Sequence, residues 1–547
     1  MAKTETTTNE SLLNTIDVLF VGAGPASLAG AIRLKQLLNE NGRNESVVVI
    51  EKADKLGQHN LSGALFEAEV LDELIPDWKK DESRFIKKMM ANVVNKDEVF
   101  FMLPKLPIKI PELFIPSYMR HSGNYAVSVS ELVNWLAGYA RSLGVEIYNS
   151  FVGEEVIVKD SIVTGIRLAS KGLDKDGKPQ SNYIPGETLK TKVTVFGEGS
   201  LGVLSEQLIQ KLNLADNTNP PIYSIGVKEV IKLPKYNNLE SNYAAYMLGF
   251  PNKASTFGGA TIYSMGKDLA ALAIYISLDW KYCDLDPQRE LQLLKSHWFV
   301  KRLLYGGEVI AYGAKTLPEG GYYSMPEPVA NGALIIGDAA NLLSTRKLKG
   351  LHYAIKSGIL AANVIFEAIE KQDFSAHTLG KYKSLLEGSF IGKELRQARN
   401  YRQIFSKAGR AGIYLGMPFS LLHKFVPGRL TTEPDYKHMT KAKLNRRYEG
   451  GIDKLTAVSL SGTHHREDAP SHITLLDPQL CTTCGEEYQC HPCEFFCPCQ
   501  VYRFAEGKMI LSPSNCSHCR TCRVKCPHQN IQWRIPEGGD GPKYKMM

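Results

Sequence analysis

Two kinds of hydrophobic run open the chain. "IDVLFV" (16–21) is a nearly unbroken apolar block, and beyond the turn "GAGPAS" (22–27) the segment "LAGAIRLKQLL" (28–38) spaces its apolar positions three and four apart. The first pattern predicts a buried strand and the second an amphipathic helix. A further apolar strand, "SVVVIEKA" (46–53), ends at Glu51. The same order returns later. "KVTVFGEGSLG" (192–202) is an apolar strand running into glycines, and "NGALIIGDAANLLSTRKLKGLHYAIKSG" (331–358) gives a strand ending at Gly337-Asp338, a loop, and a helix from near Gly350. Strand–helix–strand alternation predicts a Rossmann-type α/β unit with a parallel sheet.

The residues of the first turn suit a dinucleotide. Gly22 allows the tight turn, Gly24 lets a pyrophosphate approach the backbone, and Ser27 is the small residue that lets helix and strand pack closely. The helix N-terminus offers free N–H groups to phosphate, and Glu51 is placed to accept from ribose hydroxyls. The turn alone does not separate FAD from NAD, and a purely structural glycine turn is the alternative. Gly197-Glu198-Gly199 and Gly337-Asp338 favour FAD, because flavoproteins of this architecture use such a Gly-Asp to hold the ribityl chain. The helix beginning near Gly350 would then face the flavin ring. A helix-capping role is the alternative for Asp338. No second GxGxxG turn is found, so electrons are expected from another protein and not from NAD(P)H.

Composition narrows the rest. A chain of 547 residues implies two to four domains, and 44% hydrophobic with 22% charged residues is ordinary for a globular protein. The net charge of +8 is modest, and no basic run with interleaved aromatics suggests nucleic acid. No apolar stretch reaches the ~18 residues of a spanning helix. The opening "MAKTETTTNESLLNT" is polar and resembles neither a secretion signal nor a transit peptide, so a reducing compartment is expected.

Of 11 cysteines, only Cys283 lies outside residues 481–526. In a reducing compartment such clustering favours metal over disulfides. Cys516, Cys519 and Cys522 form a tight C-x2-C-x2-C triple suited to one 4Fe-4S cluster, with Cys497 in "FFCPCQVYRF" (495–504) as the candidate fourth ligand. Four-thiolate zinc is the alternative. Cys481, Cys484, Cys490 and Cys493, with Cys526, have the form of a second metal site. It would be zinc, or a second cluster that borrows Cys526, or simply unligated cysteine.

An FAD unit in front of a cysteine-rich tail resembles the electron-transfer flavoprotein–ubiquinone oxidoreductase family. The likeness runs through "GQHNLSGALFE" (57–67), "GNYAVSVSELVNWLAGYARSLGVEIY" (123–148), "STFGGATIY" (255–263), "GEVIAYGAKTLPEGGYYSMPEP" (307–328), "RKLKGLHYAIKSGILAA" (346–362) and "PEGGDGP" (536–542). It implies a glutathione-reductase-like Rossmann FAD domain (1–75, 123–212 and 329–370) with an inserted β-sheet quinone domain (76–122 and 213–328). A helical membrane-interface segment (371–474) and a ferredoxin-like α+β 4Fe-4S domain (475–547) would follow. Ser62 and Gly63 would join the FAD site. The quinone would lie at Gly258-Gly259, for which a structural hairpin or bulge pair is the alternative. Phe257 stands where relatives carry Tyr, which leaves the choice between ubiquinone and menaquinone open.

The resemblance further implies an electron-transfer flavoprotein as donor, and a peripheral position on the cytoplasmic face of a bacterial inner membrane, or on the mitochondrial inner membrane. "KAGRAGIYLGMPFSLLHKFVPGR" (407–429) is the candidate interfacial segment, with an ordinary buried helix as the alternative; the Pro-rich "LPKLPIKIPELFIP" (103–116) could join it. Arg520, Arg523 and the other basic residues of the tail suggest a docking face for an acidic donor. The other functions considered are an FAD-dependent isoprenoid (geranylgeranyl) reductase, a flavin monooxygenase, and an electron-carrying subunit of a larger complex. The fused cluster tail and the 307–328 stretch argue against the first, and a monooxygenase has no use for a cluster.

Overall fold

A computed structural model describes residues 15–61, 65–411, 426, 428–446 and 450–547. Its first sheet is eight-stranded. Parallel strands lie in the spatial order Ala333–Ile335, Thr188–Phe196, Ile16–Val21, Val47–Glu51, Glu146–Asn149. Runs of Val, Ile, Leu and Phe are what such strands require, because both faces are covered, and Val18, Leu19, Phe20 and Val49 are fully buried. The helices Pro25–Glu40 and Leu351–Lys371 pack against each other. At Gly358 a Cβ would lie 2.1 Å from the Ala26 carbonyl oxygen, so the helices meet at backbone distance.

The second sheet is seven-stranded, in the order Glu308–Pro318, Tyr223–Lys232, Leu269–Ser277, Gly258–Ser264, Tyr243–Gly249, Lys96–Met102, Pro107–Lys109. It is antiparallel except where Tyr243–Gly249 runs parallel to Lys96–Met102. The proline-rich stretch 103–116 supplies its edge strand, Pro107–Lys109, where a missing N–H costs nothing on the outer side.

The cysteine-rich tail forms a third unit from two short strand pairs, Ile473–Leu475 with Ile531–Trp533 and Tyr502–Ala505 with Lys508–Leu511. The helices Gln479–Tyr488, Pro492–Phe496 and Thr521–Lys525 complete it. This unit has little interior of its own. Phe496, Val501 and Trp533 join the same hydrophobic cluster as Ile274, Trp280 and Leu291 of the second sheet and its helix. The chain end then straps the unit to the first sheet. Gly539 donates to the Lys52 carbonyl at 2.8 Å, Tyr544 N–H to the Gln58 carbonyl at 3.0 Å, and the Ser128 hydroxyl to the Met547 carbonyl at 2.8 Å.

Candidate active site

The parallel sheet, the second sheet and the cysteine-rich unit meet at a cavity of about 250 Å³. Gly22 and Gly24 line it from the first turn, Glu51 from the second strand, Gly197, Glu198 and Gly199 from the third, and Gly337, Asp338 and Gly350 from the last. Gly22 has φ +89°, and a Cβ there would lie 2.9 Å from the Gly197 carbonyl oxygen, so the turn has no room for a side chain. Ser27 is buried behind the turn, against Gly197. The Glu51 carboxylate accepts from the Ala23 and Ala53 N–H groups at 2.8 and 2.9 Å, tying the turn to the strand that follows. Glu198 lines the cavity, but its carboxylate is engaged elsewhere. It caps the helix Val203–Lys211, accepting from the Ser205 N–H at 2.7 Å and the Ser205 hydroxyl at 2.8 Å. Ser62 and Gly63 lie outside the described residues.

The cavity is crowded with cations that its glycines did not announce. Lys52, Lys315, Lys349 and Arg520 all line it. Burial, then the nearby Arg520 guanidinium, pushes the Lys315 ammonium down to about 8, and Lys52 is driven well below its usual range by the same causes. Burial pushes the Asp338 carboxyl up to about 6 against the pull of Lys315. The Arg520 Nη1 is buried without a hydrogen-bond partner. Gly350 stands at the N-terminus of the 21-residue helix Leu351–Lys371, whose positive end opens on the cavity. A cluster of cations of which Lys349 alone is paired with a carboxylate, Glu67, at 3.0 Å, a helix N-terminus and a backbone turn open to close approach together fit a large anion with an extended backbone, such as FAD. The only hint of Lys315 in the sequence is a lysine inside an otherwise apolar strand.

Cys497, Cys499, Cys516, Cys519 and Cys522 line a second, smaller cavity beside the first. The Cys516–Cys522 loop curls because His518 (φ 57°) and Arg520 (φ 62°) adopt the left-handed region, a backbone form that turns N–H groups inward towards an anion. The His518 N–H donates to the Cys516 sulfur at 3.4 Å. Burial, then the sulfur of Cys519, pushes the Cys522 thiol up to about 12. Buried thiols at close quarters ionise only with a cation among them, so the donor set fits a metal centre. Cys481, Cys484, Cys493 and Cys526 line a third cavity. Cys490 is not with them; its thiol faces Cys283.

Arg520 joins the two systems. It lies between Cys519 and Thr521, lines both the glycine-lined cavity and the adjacent cysteine cavity, and stacks its guanidinium 4.1 Å from the Trp533 ring centre. This takes Arg520 and Lys525 out of the docking face expected from the tail's basic residues. Arg520 is buried, Arg523 is paired with Glu206, and the Lys525 ammonium donates to the Trp280 carbonyl at 2.6 Å. Arg520 and Lys525 carry their charge inside the protein, whereas Arg503, Lys508, Arg534 and Lys545 remain exposed.

Gly258 and Gly259 begin a strand, paired with Ile276 and Tyr275. Gly258 has φ +145°, and a Cβ there would lie 2.1 Å from the Tyr275 carbonyl oxygen. The sheet thus requires the glycine for its own packing; Tyr275, across the strand pair from Gly259, lines the main cavity, and the two glycines do not. The Phe257 ring lies 4.9 Å from Phe405 and 4.7 Å from the Arg402 guanidinium, both on the helix Tyr401–Ala408. That helix leads into the candidate interfacial segment, most of which (412–425 and 427) lies outside the described residues. Along 103–116, Leu106, Leu113 and Phe114 are exposed, Leu113 by 86%. Among the described residues no helix is long and apolar enough to cross a membrane.

Comparison with known proteins decides among the flavoprotein classes. Residues 223–317 match the ubiquinone-binding model of electron transfer flavoprotein-ubiquinone oxidoreductase, and residues 450–545 match its 4Fe-4S model. The human mitochondrial enzyme of that name is 36% identical over 97% of this chain and 89% of its own length. The chain belongs to the electron transfer flavoprotein-ubiquinone oxidoreductase family. A probable mitochondrial member from Schizosaccharomyces pombe is likewise 36% identical, over 98% of this chain and 87% of that protein. The likeness extends to solved structures at the level of fold. A geranylgeranyl bacteriochlorophyll reductase-like protein from Thermoplasma acidophilum aligns with TM-score 0.56 at 21% identity, over 77% of this chain and 93% of that one. Membership of the family carries FAD, a 4Fe-4S cluster and quinone as cofactors and substrate.

Proposed function

We propose that this chain takes electrons from a reduced electron-transfer flavoprotein and delivers them, by way of a 4Fe-4S cluster and FAD, to a membrane quinone, ubiquinone or menaquinone. The observation that carries the reading is Arg520, one side chain lining both the glycine-lined cavity and the cysteine cavity next to it. When bound, FAD supplies a two-electron store and the cluster a one-electron relay.

The residues named from the sequence divide the work. The glycine turn at Gly22–Ser27, with Glu51 and the 197–199 loop, holds the nucleotide half of FAD, and Gly337, Asp338 and Gly350 hold the flavin half, with Ser62 and Gly63 in the same site. Cys497, Cys516, Cys519 and Cys522 hold the cluster. Lys52, Lys315 and Arg520 neutralise the anion, and Arg520 and Trp533 fill the space between the two cofactors so that water is excluded there. Gly258 and Gly259 offer backbone to the quinone head group, bordered by Tyr275 on one side and Phe257 on the other. On this reading residues 76–122 and 213–328 form the quinone domain around the flavin unit, and 475–547 the cluster domain.

Membrane contact is part of the same proposal. Leu103, Leu106, Ile108, Leu113 and Phe114 form an exposed apolar edge, and the Trp298 side chain donates to the Lys105 carbonyl beside it at 3.0 Å. Exposed apolar groups with lysines and an amphipathic Trp suit a surface that rests in the headgroup region without crossing. The protein would sit peripherally on the cytoplasmic face of a bacterial inner membrane, or on the mitochondrial inner membrane.

The test is quinol formation by the purified chain, with reduced electron-transfer flavoprotein as the sole donor and ubiquinone and menaquinone analogues compared. The expected result is reduction of at least one quinone, with the protein's iron and flavin both bleaching in turn. Protein that carries no iron, or whose flavin the donor never reduces, overturns the reading.

A further inference from the structure

The third cavity carries an inference that reaches beyond a single cluster, and it rests on the cluster assignment above. Two segments of the tail share their outer spacings, C-x2-C at the start and C-x3-C-P at the end. Cys481-x2-Cys484-x8-Cys493-x3-Cys497-Pro498 is followed by Cys516-x2-Cys519-x2-Cys522-x3-Cys526-Pro527. In each segment the last cysteine, the one before proline, leaves its own group. Cys497 lines the cavity of Cys516, Cys519 and Cys522, and Cys526 lines the cavity of Cys481, Cys484 and Cys493.

The backbone repeats the exchange. Pro492–Phe496 and Thr521–Lys525 are short helices that pack on each other, each ending at the crossing cysteine. Cys497 has φ −75°, ψ 116° and Cys526 has φ −60°, ψ 117°, so each turns out of its helix in the same way. Each segment also contributes to a strand pair at its end. The tail thus uses one device twice, and reciprocal donation of the fourth thiolate is how two cubane clusters are held in one small fold.

The surroundings of the third cavity fit thiolates. The Asn530 N–H donates to the Cys526 sulfur at 3.4 Å, and the Asn530 side-chain amide to the Cys481 sulfur at 3.7 Å. Further backbone N–H groups from His528, Gln529 and Ile531 converge on the Cys526 sulfur. Leu475, Phe496, Met509 and Ile531 supply an apolar wall. Tyr502 lines both cysteine cavities, so the two centres are neighbours.

Geometry also separates a cluster from a single zinc ion. Tetrahedral zinc draws its four sulfurs to about 3.8 Å from one another, given Zn–S bonds of about 2.3 Å. A cube binds each thiolate to a different iron and spreads them further apart. Among the described residues, the one group of three or more ligand atoms found within 4.8 Å of each other is His465, His472 and His518; none of the cysteine groups draws in so tightly.

We propose that Cys481, Cys484, Cys493 and Cys526 hold a second 4Fe-4S cluster, the outer member of a pair whose inner member lies against the flavin cavity. Each electron passes singly from the donor's reduced flavin to the outer cluster, from there to the inner cluster and then to this chain's flavin, each centre being reduced as the one before it is oxidised, with no bond made or broken. Cys490 and Cys499 stay outside both sets, Cys490 facing Cys283 and Cys499 donating to the Ser517 hydroxyl at 3.0 Å.

The experiment is iron, acid-labile sulfide, zinc and flavin analysis of the full chain purified without air, with EPR after reduction. About eight irons and eight sulfides per FAD, no zinc, and two interacting signals are expected. Two variants test the exchange. Cys526→Ser should lose about four irons and leave the signal of the inner cluster, while Cys490→Ser should keep all eight. About four irons without zinc, four with one zinc, or loss of the inner signal in Cys526→Ser would each overturn the second cluster while leaving the first in place. Protein free of iron would overturn the functional reading itself.

Discussion

The turn at Gly22–Ser27 rests on a parallel sheet whose strands are buried on both faces, whereas the cysteine loops at 481–526 rest on strand pairs of three and four residues. In the first region the shape of the binding site follows from packing that exists whether or not a cofactor is bound. In the second, a handful of hydrogen bonds and a borrowed hydrophobic core cannot by themselves hold eight thiols in two cages. There, binding of the metal is part of the folding free energy. Substitutions in the flavin cradle should therefore reduce affinity and spare the fold, while substitutions at the cysteine loops should disturb the fold along with the cofactor.

The strongest challenge to that contrast is Arg520→Glu, at a residue that lines both cavities. Arg520 is buried among Lys52, Lys315 and the cluster loop. Inverting its charge sets an anion against the thiolates of the cluster loop and against the phosphates of the flavin. Thermal unfolding should shift strongly downward, and iron and flavin should both be lost, equally at low and high salt. A variant that folds, keeps both cofactors and only slows reaction with the donor in a salt-sensitive way would restore Arg520 to a docking face and dissolve the boundary drawn here.

A smaller change sharpens the flavin side alone. Gly22→Ala places a side chain at φ +89°, 2.9 Å from the Gly197 carbonyl oxygen. Strained backbone of this sort costs roughly 1–3 kcal/mol; the empty turn sheds it by shifting, and regaining the binding shape then lowers flavin affinity by about 5–150-fold. Iron content should not change. Flavin fluorescence titration with parallel iron analysis reads both; loss of iron would show that the cradle is not independent of the cysteine unit.

The two regions were also unequally legible in the sequence. Gly22, Gly24 and Glu51 could be read because a parallel strand, a positive-φ turn and a helix must follow in fixed order, and each leaves a residue-type signature. The triple at Cys516, Cys519 and Cys522 was equally plain. Two kinds of fact were not. Spacing alone grouped Cys490 with Cys493, because distance along the chain cannot show that the helix ending at Tyr488 turns Cys490 towards Cys283. Arg520 read as part of a docking face, because nothing local reveals that the chain end folds back over Lys52 and Gln58 and that the loop is buried. What a tail packs against is long-range information, carried by residues far away in sequence.

Lys315 offers the mildest test and the one most specific to the flavin cradle. Burial and the neighbouring Arg520 lower its pKa from the usual 10.5 to about 8 in the protein without cofactor. Between those values the unfolded chain holds a proton that the folded one has released. The contribution of Lys315 to stability therefore rises with pH across that window, because the folded state no longer has to bury a charge. The bound cofactor acts with the opposite sign. Its anionic phosphates favour the ammonium form, so binding takes up a proton, and affinity falls as pH climbs past about 8. Linkage for one such group gives a weakening of roughly fourfold between pH 7 and pH 8.5. Comparing wild type with Lys315→Met isolates the term. The variant should be more stable than wild type as apoprotein near neutral pH, bind FAD more weakly there, and lose this part of the pH dependence in both measurements. If wild type and variant show parallel pH profiles for flavin affinity, Lys315 does not meet the cofactor, and the cation-lined cavity must be answering some other charge.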